Sequence, residues 1–125
     1  MSHILPDQDL DLAVLYEIAD GSEEFIIESI DMFLQHTPEM LQSIASAIAN
    51  KDWPVTASVS HKLKPNLGFF GMPISQATIQ EVELMAKAGA PDPDLLLLKF
   101  DEVKKMIVVN LATLTKIKGE LESGG

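Results

Sequence analysis

The sequence predicts an all-α protein, an up-and-down four-helix bundle with a short N-terminal cover helix. Three observations carry this. Apolar residues recur at spacings of three and four along most of the chain, the period of helices that bury one face. Between these stretches stand compact punctuating groups, Asp20-Gly21, Asn50-Lys51-Asp52, Gly71-Met72-Pro73 and Ala90-Pro91-Asp92-Pro93. Connections this short make successive helices antiparallel neighbours. No run alternates apolar and polar residues between turn signals, as half-buried strands do, and no segment recurs at a solenoid period.

The elements follow in order. The first helix is expected from residue 7 to about 19, with Leu10, Val14, Leu15 and Ile18 at helical spacing and Asp20-Gly21 as its stop. Ser22 is the expected N-cap of the second, with Glu23 and Glu24 in the first turn, where acids suit the helix dipole. Its apolar face is Phe25, Ile26, Ile30, Phe33 and Leu34, continued by Met40, Leu41, Ile44 and Ile48. Pro38 cannot donate to the carbonyl of Leu34, so one long helix kinked there is expected from 22 to about 49. Asp52 caps a third helix with Pro54 in its first turn, ending near Gly71. A fourth runs from about 74 to 88 with Gly89 just past its end. The fifth runs from about 94 to 119 on Leu95, Leu98, Val103, Ile107, Leu111, Leu114 and Ile117.

The 125 residues make one expected domain, with a bundle core at about 22–119 and a frayed tail at 120–125. Hydrophobic residues form 46% of the chain, enough for a core. Cysteine is absent, which excludes disulfides, thiolate metal sites and a cysteine nucleophile. No apolar run approaches the ~18 residues of a membrane span, and the N-terminus lacks a signal-peptide pattern. A cytoplasmic protein with no membrane partner is therefore expected.

The formal charge is −10, against the basic face that nucleic-acid binding requires. The charge is unevenly spread. Residues 1–50 hold ten acids and no lysine, whereas residues 51–72 hold Lys51, Lys62 and Lys64 against Asp52 alone. The third helix is thus a small positive island.

On that helix Val59, Leu63, Leu67 and Phe70 form the expected core stripe. His61 lies two residues from both Val59 and Leu63, so it points outward. Its neighbours on the same face are Ala57, Ser58, Lys64, Pro65 and Gly68. All but the lysine are small or compact, which keeps the surface low around one exposed imidazole. That is what a histidine requires if another protein's active site must close over it. A neutral imidazole is a nucleophile near neutral pH. Lys64, one turn on, could bring its ammonium to a phosphoryl group on His61, and Lys62 adds positive potential. The bland alternative is an ordinary exposed histidine beside residues that pack on a neighbouring loop.

Other candidates carry less. Asp7, Asp9 and Asp11 have the spacing of a calcium loop, but Leu12 and Ile18 stand where its glycine and glutamate belong. They read as a solvated, capping run. His3, His36 and His61 are scattered and form no Glu-x-x-His pair, so no metal is expected. Trp53 reads as a packing anchor and the methionines as gap-fillers. Phe70 reads as core, and Phe69 either packs on the N-terminal helix or rims the surface at His61. There is no Gly-rich phosphate loop and no kinase signature.

The stretch His61-Lys62-Leu63-Lys64, with Gly71 ten positions after the histidine, resembles the core pattern of histidine-containing phosphotransfer (HPt) domains of two-component phosphorelays. The segment Val82-Glu83-Leu84-Met85-Ala86-Lys87-Ala88-Gly89 resembles the Leu-Glu-x-x-Ala-Arg-x-Gly of the family's next helix, and the resemblance spans about residues 22–118. It implies a carrier without ATP-dependent kinase activity. His61 would accept a phosphoryl group from a receiver aspartate and pass it to another receiver, with Lys64 stabilising its charge. Ala57, Ser58, Lys62, Pro65, Gly68 and Gly71 would form the receiver-docking surface. The implied partners are response-regulator receivers or a hybrid histidine kinase. The domain would be a monomer without a cofactor of its own, Mg²⁺ being the receiver's. One departure is Pro65, where the family has glycine. It removes the N–H that would bond the carbonyl of His61, so a kink or widened turn is expected there. Two other readings stand beside the carrier: a non-catalytic interaction bundle whose acidic half binds a basic partner, and an HPt-like regulator that binds receivers without transfer.

Overall fold

The computed structural model describes residues 4–5 and 8–124. The elements are β1 (Ile4–Leu5), β2 (Leu10–Asp11), α1 (Ala13–Ala19), α2 (Glu23–Ala49), α3 (Trp53–Phe69), α4 (Pro73–Lys87) and α5 (Pro93–Gly124). Helices α2 to α5 form the expected bundle, each packed on its chain neighbour, with α5 closing against α2. α1 lies on α2 as the cover. Among the described residues no helix is long and apolar enough to cross a membrane.

The start of the chain differs from expectation. α1 begins at Ala13, not residue 7, which lies outside the described residues. Before it, β1 and β2 pair antiparallel with Leu5 opposite Leu10, a pairing too short to leave an alternating pattern in the sequence. On α1 Leu15 and Ala19 are buried, while Val14 and Ile18 are exposed. Leu15 and Ala19, one turn apart, share the inward face with Leu12 just before the helix, and half-buried Tyr16 packs beside them.

Caps and turns fall where the residues dictate. The side chains of Ser22 and Asp52 accept from the amides of Phe25 and Val55. α2 continues as one helix through Pro38. Its carboxylate Asp31 holds Lys118 of α5 at 3.0 Å. The core is built from Ile30 and Ile44 of α2, Leu63 and Leu67 of α3, Ile79 and Val82 of α4, and Phe100, Val103, Ile107 and Leu114 of α5, all 0–1% exposed. Phe70 stacks on Phe33 at 4.3 Å, and Phe69, half-buried, meets its edge. Val59, placed on the core stripe, is only half-buried.

α5 corrects two expectations. Its buried face at the start is Leu96 and Phe100, while Leu95 and Leu98 are exposed. Four consecutive leucines, Leu95 to Leu98, fit several helical registers, and the phenylalanine one turn on settles which is buried. The helix also continues to Gly124, through the tail expected to fray, and Leu121 packs against the core there.

Residues 8–11 fasten the N-terminal segment across the turn that joins α3 to α4. The Asp9 carboxylate accepts from the amides of Ile74 and Ser75 at 2.9 and 2.6 Å. It thereby caps α4, whose own N-cap, Met72, offers no side-chain acceptor. Buried Asn110 donates to the carbonyl of Asp9 and accepts from Gln8. Asp11 caps α1 through the amide of Ala13. Asp9 and Asp11 therefore act as caps; Asp7 lies outside the described residues.

Candidate functional site

α3 places His61 on its outer side with 67% of its side chain exposed. The ring does not stand free. Its Nδ1 lies 2.9 Å from Oε2 of Glu83, which α4 projects from beneath. Glu83 is 2% exposed, so it is a buried charge that requires partners. It has them: Lys64 Nζ lies 2.8 Å from Oε1 and Lys87 Nζ 3.0 Å from Oε2.

The electrostatics settle the roles. Burial alone would raise the pKa of the Glu83 carboxyl. The contacts of Lys64, Lys87 and His61 outweigh it and hold the group at about 2. An ionised carboxylate only accepts hydrogen bonds. Nδ1 of His61 must therefore be the protonated nitrogen, donating to Oε2. In the neutral ring the lone pair then resides on Nε2. The family resemblance implies Nε2 as the attacking nitrogen, and the contact of Nδ1 with the buried acid supplies a physical reason for it.

The expected surface residues divide into two groups. Ser58 and Lys62, both exposed, line an open groove with His61 between the start of α3 and the end of α4. Ala57 lines it from below and is 6% exposed. The groove encloses about 660 Å³, and Trp53 walls its far end. Lys64 turns away from it, its ammonium committed to Glu83.

Pro65, Gly68 and Gly71 do not line this groove. Pro65 is exposed, and α3 runs through it as an unbroken α-helix, without the widened turn expected at His61. Leu63 and Leu67, both fully buried, hold the segment in register despite the missing N–H. Gly68 makes room for Gln76. A Cβ there would sit 2.7 Å from Gln76 Nε2, which donates to the carbonyl of Lys64. Gly71 is not an open surface position. At φ +65 it lies under the N-terminal segment, a Cβ would fall 1.7 Å from the carbonyl oxygen of Asp11, and the Asp11 amide donates to the Gly71 carbonyl. The motif's glycine thus serves chain packing, because the segment that covers it is remote in sequence. Asn66, offset from His61, lines a smaller cavity of about 190 Å³ toward α2 with Met32, His36 and Phe69.

Sequence reasoning gave no role to Glu83 and Lys87. Both stand in the segment that resembles the family's next helix, and Glu–Lys at four residues apart is a readable helical ion pair. What the sequence did not offer was the packing that brings Glu83 under His61, 22 residues earlier.

A helical bundle that presents one oriented imidazole on its surface, over a buried ionised acid, has the build of a histidine carrier module. The family model described as Hpt domain matches residues 28–120. The chain belongs to that family, whose members carry out histidine phosphotransfer in two-component phosphorelays with receiver domains and histidine kinases. Neither the curated proteins nor the solved structures searched gave a match.

Proposed function

We propose that this domain is a phosphorelay intermediate that accepts a phosphoryl group on His61 from the aspartyl phosphate of one receiver domain and passes it to another. The observation that carries this is the Nδ1–H donated by His61 to ionised Glu83 at 2.9 Å. It frees the Nε2 lone pair of an exposed ring for in-line attack on phosphorus. The N–P bond forms as the bond from phosphorus to the aspartyl oxygen breaks, and the receiver's carboxylate leaves with that electron pair. No proton has to move. Nδ1 keeps its hydrogen, and the positive charge that develops on the ring faces the Glu83 carboxylate. Transfer to the next receiver runs the same step in reverse.

Lys64, paired with the carboxylate that His61 also contacts, adds positive charge beneath the ring and offsets the charge of the phosphoryl group from there. The receiver supplies Mg²⁺ and most of the catalytic groups. The domain itself is a cytoplasmic monomer, acts without a cofactor and has no ATP-dependent kinase activity. Ser58, Lys62 and Pro65 belong to the surface that the receiver covers.

The test is phosphoryl transfer from phosphorylated receivers to the wild type and to His61→Gln. Label that is stable to alkali, lost in acid and absent from the variant supports the carrier. Receivers that bind without transfer would replace the carrier with a regulator. Transfer to His61→Gln at the wild-type rate would remove His61 from the mechanism.

A further inference from the structure

We infer that the groove between the start of α3 and the end of α4 is the anchor point of the relay partner, which fills it with an apolar protrusion flanked by acidic groups. This rests on His61 being the phosphoacceptor and adds which side of α3 the partner grips and with what chemistry.

The groove runs from His61 and Lys62 toward the start of α3, ending at Trp53 and Gly89. Its floor is apolar, made by Ala57 and Ala86, which are 6% and 3% exposed. Its end wall is Trp53, a half-buried indole whose remaining surface is free to be covered. An aliphatic or aromatic side chain is the group that gains most from entering such a space.

Charge selects the partner's rim. Among the described residues the only acid lining the groove is Glu83, which is buried and shared by Lys64 and Lys87, so with Lys62 three ammonium groups stand against one carboxylate. Lys62 and Lys87 stand exposed at the mouth. The mouth is therefore locally positive in a chain of net charge −10. A basic partner would meet two ammonium groups there. A uniformly acidic one would be repelled by the first 50 residues, which hold ten acids and no lysine. The fitting partner is acidic only around its apolar tip.

The opposite flank lacks this complementarity. Among the described residues the cavity toward α2, with Met32, His36, Asn66 and Phe69, has neither a lysine nor an acid in its lining. Anchoring at Trp53 also sets the partner's reacting group over His61, which lies at the other end of the same groove.

Trp53 is the single tryptophan of the chain, so the native protein carries its own reporter. The probe is a tryptophan-free receiver domain that transfers phosphoryl to the wild type, held in its active form with beryllofluoride. Its titration should shift or quench Trp53 emission saturably. Ser58→Phe, which fills the groove from an exposed position, should weaken docking at least ten-fold and raise KM with kcat retained. Lys62→Glu should weaken docking and flatten its salt dependence. Met32→Arg, on the other flank, should dock as the wild type does. Circular dichroism confirms that each variant is folded. Unchanged Trp53 emission together with wild-type docking by Ser58→Phe overturns the inference while leaving the carrier intact, and loss of docking in Met32→Arg alone moves the anchor to α2. If no receiver transfers to His61 at all, the carrier reading falls and this inference falls with it.

Discussion

Glu83 and His61 face each other through a single 2.9 Å contact between a buried carboxylate oxygen and the inner ring nitrogen. The acid beneath thereby determines which nitrogen the surface offers. It is also the meeting point of two ammonium groups, within 3.0 Å, so one side chain governs the ring, the local charge and part of the α3–α4 contact.

Two substitutions separate these duties. Glu83→Gln keeps an oxygen that accepts from Nδ1 but removes the charge, and should slow phosphoryl acceptance about 10-fold. Glu83→Leu removes the acceptor as well and should slow it about 100-fold, the worth of a charge-assisted hydrogen bond. Single-turnover transfer measures both. Ring ¹⁵N shifts should show one tautomer in the wild type and in Glu83→Gln, and a mixture in Glu83→Leu. Equal rates in all three proteins would dismiss the acid from the mechanism.

Stability should depend on acid pH in a defined window. The Glu83 carboxyl sits at about 2 in the folded chain against an ordinary 4.5. The unfolded chain therefore binds the proton first as pH falls. The stabilisation is fully present above pH 4.5 and is lost progressively down to about 2. Its size is about 3 kcal/mol by linkage. Urea titrations across this range should show a slope that disappears in Glu83→Gln.

Gly71→Ala should destabilise the fold by about 2–4 kcal/mol, combining left-handed backbone strain with displacement of the overlying chain. The clash is with the Asp11 carbonyl and not with the groove at His61. Thermal unfolding should therefore fall while phosphoryl acceptance below the transition stays near wild type. A stable but inactive variant would return Gly71 to the docking surface.

Pro65→Ala restores an N–H four residues after His61. Because α3 is already α-helical there, the new donor should stabilise the protein by about 1–3 kcal/mol. A lowered midpoint in urea would mean that the proline ring is part of the packing.

Asp9→Ala should cost about 1 kcal/mol, the usual worth of a lost cap, although residue 9 lies far from α4 in sequence. Asp9→Asn, which keeps one acceptor, should recover much of the loss, as read by urea unfolding.

Much of this architecture was legible in the sequence because it is local. Ser22, Asp52 and Gly89 mark helix ends by chemistry that acts within a few residues, and the 3.6-residue pattern of α2 names most of its buried face, Ile26, Ile30, Phe33, Leu41, Ile44 and Ile48, although Phe25, expected on it, is exposed. His61 was legible for the same reason, since its outward direction follows from its offset to Val59 and Leu63. The misses are contacts between distant segments. Leu10 looked like a helix residue because nothing nearby shows that residues 8–11 run across α4. The four leucines at the start of α5 carry no phase of their own. Glu83 looked like one more acid in an acidic chain until α4 packed against α3. Gly71 sat in the right motif, but what covers it comes from the other end of the domain.

The clasp of Asp9 on α4 has a consequence for the timescale of local opening. First-turn amides of a helix ordinarily face water and exchange their protons quickly. The amides of Ile74 and Ser75 are instead shut inside hydrogen bonds to a carboxylate 65 and 66 residues away. Their deuterium uptake therefore times the unlatching of the N-terminal segment, independently of any event at His61.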